Sequence, residues 1–296
     1  MTIYDCFSYW DEDLLLDLRL SILDKFVDYF VIVESSYTHK GEKRDLKFNI
    51  NKFSKYKEKI IYLTYDIEPQ KISKIDGKES ENQKSGKYIM NAIYRENGQR
   101  NYISEGIKSA NNNDIILISD VDEIPNLSEK NLKSLDEKIF MFQQEMFYYK
   151  FNLKIPNIIW TGTRGCKKKY LKSPQWLRNI KPRKFSPFRL DILFSERKYA
   201  NVKIFQNGGW HFTNIKPPEE IEKKLKSYLH HREFDLNPLS LDEIKKIITE
   251  KRAIYDLSQD QRKNKIGRGE ALKNVELFKL PSYIQENKNL LKNWLD

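Results

Sequence analysis

The sequence lacks the features of a membrane-spanning or secreted protein. No stretch approaches 18 consecutive apolar residues, so we expect no membrane-spanning helix. The amino terminus has no basic segment followed by an apolar one, so we expect no secretory signal. Two cysteines, Cys6 and Cys166, are too few for a disulfide framework or a cysteine-based zinc site. We therefore predict free thiols, a reducing compartment and a cytoplasmic location.

Acidic residues are missing from one long stretch. Between Met146 and Leu190 there is no Asp or Glu, and the stretch holds all of the chain's net charge of +11. Such a concentrated positive field attracts an anionic partner, such as a nucleotide-sugar, an acidic glycan, a lipid head group or nucleic acid. A solvated basic surface is the alternative. The segment carries twelve basic residues: Lys150, Lys154, Arg164, Lys167, Lys168, Lys169, Lys172, Arg178, Lys181, Arg183, Lys184 and Arg189.

The hydrophobic pattern predicts an α/β fold. Strand candidates alternate with helix candidates in the first half, which favours a mostly parallel sheet flanked by helices. The strand candidates are residues 3–7, 29–33, 60–63 and 115–118, and the helix candidates are 13–25 and 87–110. Prolines at 156, 174, 182 and 187 predict short strands and loops in the middle segment. Helical patterns return at 219–229, 241–254 and 283–295. We predict one domain over residues 1–235 and a C-terminal helical extension, residues 236–296, packed on it.

Asp120 and Asp122 follow directly on the most apolar strand candidate. Open α/β sheets bind ligands at the carboxyl ends of their strands, and alternate residues of an extended segment point the same way. Two carboxylates together with substrate phosphates are the usual setting for Mg²⁺ or Mn²⁺. A solvated turn is the alternative. A second Asp-x-Asp triplet, 11–13, is interpreted as a helix start, where carboxylates favour the helix dipole.

Further candidates lie elsewhere along the chain. Trp210 offers a flat face for a sugar or base, and His211 offers a ligand nitrogen, although a lone histidine is usually structural. Glu34, at the end of the second strand, is placed either to accept ribose or uracil donors or to be a surface charge. Glu96 and Arg100 are four residues apart and could form a helical ion pair.

Several motifs fall in one order along the chain: 5–7, 14–20, 27–35 followed by Thr38 and Gly41, then Arg100, 120–125 and 209–211. In this order they resemble glycosyltransferase family 17, which includes the β-1,4-mannosyl-glycoprotein β-1,4-N-acetylglucosaminyltransferases. The resemblance covers roughly residues 3 to 235. It is weaker in the basic middle segment and absent from about Leu236 onward. Lys224 and residues 231–233 resemble a segment of bacterial members, although packing of an amphipathic helix is the simpler explanation there.

The resemblance implies a GT-A-like domain, a UDP-sugar donor and inverting transfer, of N-acetylglucosamine in particular, to a sugar hydroxyl. It also implies a divalent cation, Mn²⁺ or Mg²⁺. The predicted metal ligands are Asp120, Asp122 and His211, and the predicted donor-binding residues are Glu34, Glu96, Arg100 and Trp210. Inversion needs a general base within reach of the acceptor hydroxyl, and Glu123 and Glu145 are the candidates.

The acid-free segment, with its aromatics Tyr148, Tyr149, Trp160, Tyr170 and Trp176, predicts an acceptor cleft beside the donor site. We expect a glycan or lipid-linked glycan acceptor that carries negative charge, and a peripheral membrane contact. Eukaryotic members of the family have an amino-terminal Golgi anchor, and its absence here favours a bacterial or viral cytosolic enzyme. Two alternatives stand beside this interpretation. One is a haloacid-dehalogenase-like phosphatase with Asp120 as nucleophile, and the other is a basic nucleic-acid-binding module.

Overall fold

The fold is built on one mixed β-sheet, seen in a computed structural model that describes residues 1–186, 188, 190–192, 194–257 and 265–296. Its first half is parallel, in the order β3-β2-β1-β4. These strands are β1 (Ile3–Tyr9), β2 (Tyr29–Ser35), β3 (Ile60–Tyr65) and β4 (Ile115–Asp120). The helices between them are α1 (Asp13–Leu23), α2 (Glu81–Asn101) and α3 (Ile103–Gly106), and a 3₁₀ segment spans Ile50–Lys59. This half confirms the predicted alternation.

The second half of the sheet corrects the prediction of a mostly parallel sheet. The order continues β4-β7-β6-β9-β5, with antiparallel pairs β4–β7, β7–β6 and β9–β5 and a parallel pair β6–β9. Two further strands, β8 and β10, pair with β6 and β7. The bounds are β5 (Glu123–Pro125), β6 (Ile139–Tyr148), β7 (Leu153–Lys167), β8 (Val202–Phe205), β9 (Gly209–Thr213) and β10 (Lys273–Asn274).

The middle segment contains one long strand, β7, that its prolines do not predict, and its described remainder after residue 167 consists of loops and short helical turns. Strand β7 runs for 15 residues through Pro156. The register against β6 shifts between Glu145 and Phe147, whose partners are Ile159 and Lys154, so Pro156 falls within an irregularity of the ladder. A proline is tolerated there because no regular ladder hydrogen bond is required of it.

Among the described residues, five short α-helices follow in the second half of the chain. They are α4 (Pro174–Asn179), α5 (Pro218–Ser227), α6 (His231–Leu236), α7 (Leu241–Thr249) and α8 (Ser282–Glu286). The predicted helix over 283–295 is confirmed only for its first residues. Residues 236–296 do pack on the rest of the chain: the Tyr283 hydroxyl lies 3.1 Å from Asp17 on α1, and the Phe151 amide donates to the carbonyl of Trp294. The domain boundary at 235 stays a prediction.

Both faces of β1, β2 and β4 are buried, and the edge strand β3 is half-buried. Phe7, Phe30 and Leu117 face one apolar cluster, which includes the inner face of α1, and Val31 and Ile118 face another beside α3 and α4. Cys6 and Cys166 are free and buried, and burial raises the pKa of Cys166 to about 12. Both therefore act as small core residues. In the described ranges, no helix has the length and apolar character needed to cross a membrane.

Candidate functional site

The site is formed where two sequence motifs meet at the carboxyl end of β4. A tight turn at residues 121–122 leads from Asp120 into β5, and β5 pairs antiparallel with β9 so that Glu123 lies opposite His211. Gly209 permits this approach, because it has a φ of +131° and a Cβ there would lie 2.2 Å from the carbonyl oxygen of Ile124. The pairing brings the aspartates and the histidine to one place.

A buried arginine that the sequence analysis did not identify holds the turn in place. Arg19 on α1 is fully buried and makes a bidentate ion pair with Asp5 on β1, with N···O distances of 2.6 and 2.7 Å. It also donates to the hydroxyl of Ser119. Its remaining N–H groups reach three carbonyls of the turn, those of Asp120, Val121 and Glu123. Arg19 therefore fixes the turn's backbone to the first strand and helix.

Asp120 is held between two arginines. One carboxylate oxygen lies 2.9 Å from Arg100 and the other 3.1 Å from Arg178. Arg100 in turn pairs with Glu96 at 2.8 Å, as the helical spacing predicts. Burial opposes the charge of Asp120, but Arg178 and Arg100 hold its pKa well below the usual range. Asp120 is thus ionised across the physiological pH range and anchors two cations at the site.

Glu123 is buried and fully engaged. Its carboxylate accepts two hydrogen bonds from Arg178, at 2.7 and 2.9 Å, one from the indole of Trp160 at 2.6 Å and one from the Asp120 amide at 2.9 Å. These contacts leave no side for an acceptor hydroxyl. Glu123 therefore positions Arg178 and Trp160 through these hydrogen bonds, and we do not assign it as the general base.

Asp122 and His211 form the second charged pair of the site. Nε2 of His211 lies 3.5 Å from Oδ2 of Asp122, which is longer than an ordinary N–H···O hydrogen bond. Nδ1 of His211 is buried and has no hydrogen-bond partner among the described residues. Burial disfavours the imidazolium, but the carboxylate of Asp122, with those of Glu123 and Asp120, raises the pKa of His211 above its ordinary value.

A cavity of about 360 Å³ opens beside these residues. Lys224 on α5 also lines it, and no described carboxylate lies within ion-pair distance of the Lys224 ammonium. The cavity's acidic and basic lining among the described residues consists of Glu12, His39, Glu96, Arg100, Asp120, Asp122, His211, Lys224 and His230. Its flat or apolar walls include Trp10, Tyr148, Trp160, Ile254, Tyr255 and Leu257. The part of the chain after residue 235 thus contributes one wall.

The structure does not bring Trp210 to this cavity. Successive residues of a strand face opposite sides of the sheet, so His211 turns toward Asp122 and Trp210 turns away. Trp210 packs against the main apolar cluster, and its indole lies 3.3 Å from the carbonyl oxygen of Lys279. Trp160, on β7, supplies the aromatic face instead, with its ring centroid 5.3 Å from that of His211.

Glu34 and Glu145 also lie outside the cavity lining. Glu34 is fully buried, and its carboxylate is occupied by the backbone amides of residues 47 and 48, the Tyr62 hydroxyl and Arg44. It therefore fastens the 44–48 loop to the sheet. Glu145, on β6, pairs with Lys154 of the neighbouring strand. Donor binding by Glu34 and base catalysis by Glu145 lack support from their positions.

The acid-free segment does not form one basic surface beside the site. Lys167, Lys168 and Lys169 lie at the amino end of β4, where Lys167 pairs with Ile115, and five residues of strand place them about 17 Å from Asp120. Their ammonium groups reach two backbone carbonyls and Asn113. Of the predicted aromatics, Tyr148 and Trp160 line the cavity. Arg189 and Pro187 lie outside the described residues.

In the sequence, Arg178 is only one of the twelve basic residues of the acid-free segment. In the structure it contacts both Asp120 and Glu123. Nothing in its local sequence distinguishes it from its lysine neighbours. Arg19 could have been detected in the sequence, because it lies among Leu15, Leu16, Leu18 and Leu20. All four of these leucines are buried on α1. A charged residue in such a position implies a buried partner.

The side chains that line the cavity include possible ligands for a divalent cation. In the described ranges, no group of three or more His, Cys, Asp or Glu side chains is arranged to hold a metal. Asp120 is committed to two arginines, but Asp122 and His211 offer an oxygen and a nitrogen 3.5 Å apart without a proper hydrogen bond between them. Mg²⁺ and Mn²⁺ sites use few protein ligands and complete their shell with water and phosphate, so this pair fits such a cation.

Comparisons with known proteins add to this geometry. The model of glycosyltransferase family 17 matches residues 1–295, which extends the match beyond the residue 235 at which the motifs stop. None of the curated proteins matches the chain. HddC from Yersinia pseudotuberculosis is similar over 70% of this chain and 91% of its own, with 14% identity and a TM-score of 0.30. Its structure complexed with GMP-PN covers 75% and 96%, with 15% identity and a TM-score of 0.31.

At these values the likeness to HddC carries no inference about fold or ligand. The family match covers nearly the whole chain, and it decides against the phosphatase and the nucleic-acid module as alternatives. The chain belongs to glycosyltransferase family 17, and it is a glycosyltransferase.

Proposed function

We propose that this glycosyltransferase is a metal-dependent, inverting enzyme that transfers N-acetylglucosamine from a UDP-sugar to a glycan hydroxyl. The observation that carries the proposal is the cavity at the carboxyl end of β4, where Asp122 and His211 lie beside Arg100 and Lys224. The parallel half of the sheet offers the usual location for a nucleotide in open α/β folds. We also propose that this half binds UDP in a GT-A-like manner.

On the donor side, the chemistry requires stabilisation of a diphosphate leaving group. In our proposal Asp122 and His211 hold Mn²⁺ or Mg²⁺, which supplies Lewis-acid stabilisation of that group when bound. Lys224, without a carboxylate partner among the described residues, points its charge into the same cavity and can bind a phosphate oxygen. Arg100 is fixed by Glu96 and Asp120, so its guanidinium is oriented before the donor arrives.

On the acceptor side, the cavity provides aromatic faces for a sugar. Trp160 is held by the hydrogen bond from its indole to Glu123, and Tyr148 lines the same wall. Sugars bind to such faces through their C–H groups while their hydroxyls stay free for hydrogen bonds. We propose a glycan or lipid-linked glycan as acceptor, and we leave the general base unassigned because neither Glu123 nor Glu145 opens onto the cavity.

The proposal is tested by donor turnover. Purified protein is incubated with UDP-N-acetylglucosamine, UDP-glucose, UDP-galactose or GDP-mannose, with Mn²⁺ or with a chelator, and free nucleoside diphosphate is measured. We expect release of UDP from UDP-N-acetylglucosamine, dependent on the cation and increased by an acceptor glycan. Release of GDP alone, or release that a chelator does not reduce, would refute the proposed donor or the proposed metal dependence.

A further inference from the structure

The described residues between α4 and β8 do not line the cavity of the site. We call residues 181–199 the 181–199 loop. Its two arms are joined at the base, where the Lys181 amide donates to the carbonyl of Arg197 at 2.7 Å and the Phe185 amide donates to that of Tyr199 at 3.1 Å. The base is fixed to α4, because the indole of Trp176 donates to the carbonyl of Glu196.

The loop carries the three most exposed large hydrophobic side chains among the described residues. Phe188 is 92% exposed, Phe194 is 89% exposed and Leu190 is 76% exposed. The three lie within seven residues of one another. A folded protein rarely leaves such a group in water without a purpose, because burying each of these side chains would gain about 2 kcal/mol.

Basic residues surround this apolar group. The loop contains six Lys and Arg residues and two acidic ones, and both acidic residues have cationic partners: Asp191 pairs with Lys198, and Glu196 pairs with Lys172. Lys181, Arg183 and Lys184 are exposed, and no described carboxylate lies within 4.0 Å of their charged groups. The described surface of the loop therefore combines free positive charge with exposed aromatic and aliphatic side chains.

We propose that the 181–199 loop docks the protein on the surface of an anionic lipid bilayer. Phe188, Leu190 and Phe194 would enter the boundary between head groups and acyl chains, while Lys181, Arg183 and Lys184 bind anionic head groups. The combination of a few inserted apolar side chains with several basic ones is what a peripheral membrane contact requires, since either alone binds weakly and reversibly.

The loop's position connects docking to the cavity. Helix α4, which leads into the loop, carries Arg178 and Gln175, and these contact Asp120 and Arg100. A protein docked through the loop would therefore hold its cavity near the bilayer. This consequence rests on the proposed function, because it places the cavity within reach of a lipid-linked acceptor. The docking itself does not rest on it.

The test is cosedimentation with large vesicles, either phosphatidylcholine alone or an equal mixture of phosphatidylcholine and phosphatidylglycerol. We expect binding to the mixture only, weakened by added salt. The variant Phe188→Ser/Leu190→Ser/Phe194→Ser should bind at least about tenfold more weakly, as should Lys181→Gln/Arg183→Gln/Lys184→Gln. The matched control, Leu236→Ser/Phe278→Ser/Leu290→Ser, removes three exposed hydrophobic side chains elsewhere and should bind like the unaltered protein.

A direct test of insertion is the variant Phe194→Trp. The emission of the introduced tryptophan should shift to shorter wavelength with the mixed vesicles and not with phosphatidylcholine alone. Equal binding of the unaltered protein and the apolar triple variant, or no vesicle binding by either, would overturn the proposal. If sedimentation equilibrium instead shows a dimer that the apolar variant abolishes, the patch contacts a second copy and the proposal is wrong. UDP binding should be the same in all these variants, which separates failure of docking from failure of the proposed function.

Discussion

Arg178 and Glu123 show at the residue scale how the site depends on buried charge. Replacing Arg178 with Met would leave the Glu123 carboxylate, which is fully buried, with only Trp160 and one amide as partners. Breaking one side of such a pair costs about 3 kcal/mol or more. We expect that loss in the free energy of unfolding measured with urea.

Lys108→Gln is the matched control for this loss. It removes an ion pair with Glu105 in which both partners are well exposed, so it should cost less than about 1 kcal/mol. Equal losses for Arg178→Met and Lys108→Gln would contradict the assignment of Arg178 as a buried positioning residue.

A pH dependence follows from the pair of Asp122 and His211. The folded pKa of His211 lies above the ordinary 6.5, so its interaction with Asp122 stabilises the fold below 6.5 and this stabilisation is lost as pH rises through the folded pKa. A cation needs the neutral ring, so metal affinity should change in the opposite direction, rising with pH through that pKa.

Calorimetric titration with Mn²⁺ over a pH series measures the apparent pKa. Asp122→Asn removes the charge that raises it, so the remaining weak affinity should show an apparent pKa lower than that of the unaltered protein. A Mn²⁺ affinity that does not vary across the neutral range would show that His211 is not a ligand.

The residues of the site could be predicted only in part. Asp120, Asp122 and His211 were identified by their motifs, and the structure brings them together because β5 pairs with β9. Trp210, a predicted donor-binding residue, does not line the cavity, and the alternation of side chains along a strand already separates it from His211. Arg178 could not have been identified, because its role depends on α4 returning to the end of β4.

At the scale of elements, Arg19 joins α1 and β1 to the turn between β4 and β5. Arg19→Lys keeps the charge but offers a single ammonium in place of a guanidinium that reaches six acceptor atoms. We expect it to lower the free energy of unfolding by about 2 kcal/mol or more. UDP affinity should also fall, because the turn that carries Asp122 loses its anchor.

Arg197→Lys serves as the control for Arg19→Lys. Arg197 is exposed, so the same change of residue type should leave both the free energy of unfolding and UDP affinity within error. A thermal and chemical denaturation profile for Arg19→Lys that matches the unaltered protein would show that the turn is held by other contacts.

The predictability of the elements follows their burial. Strands β1 to β4 were found because each is an apolar run, covered on both faces in β1, β2 and β4 and half-buried in β3, and their ends differ from the prediction by a few residues. Strand β7 was missed because it has a basic, proline-containing sequence and lies partly on the surface. A local pattern cannot show that an irregular ladder will accept Pro156.

At the scale of the whole molecule, most of the basic residues of the acid-free segment lie in three places. Arg164 is buried and Arg178 half-buried near the site, Lys167, Lys168 and Lys169 lie at the opposite end of the sheet, and Lys181, Arg183 and Lys184 are exposed in the 181–199 loop. A count along the sequence could not separate them, since β7 runs antiparallel to β4 and carries its residues from one end of the sheet to the other.

Because Lys167, Lys168 and Lys169 lie far from the site, replacing all three should leave its kinetics nearly unchanged. Lys167→Gln/Lys168→Gln/Lys169→Gln removes charges about 17 Å from Asp120, well beyond the screening length of about 8 Å at physiological salt. We therefore expect KM for both donor and acceptor to stay within about twofold of the unaltered values in steady-state assays. A several-fold rise in the acceptor's KM would restore the interpretation of these lysines as part of an acceptor surface.

The most direct test of the account is calorimetric titration of UDP with and without Mn²⁺, applied to the unaltered protein and to Asp122→Asn, His211→Ala and Asp13→Asn. Asp13 belongs to the other Asp-x-Asp triplet and starts α1, away from the cavity lining. We predict that UDP binds only with Mn²⁺. Its affinity should fall at least about tenfold in Asp122→Asn and His211→Ala and stay unchanged in Asp13→Asn. UDP binding of equal strength without the cation, or unchanged binding in both site variants, would contradict it.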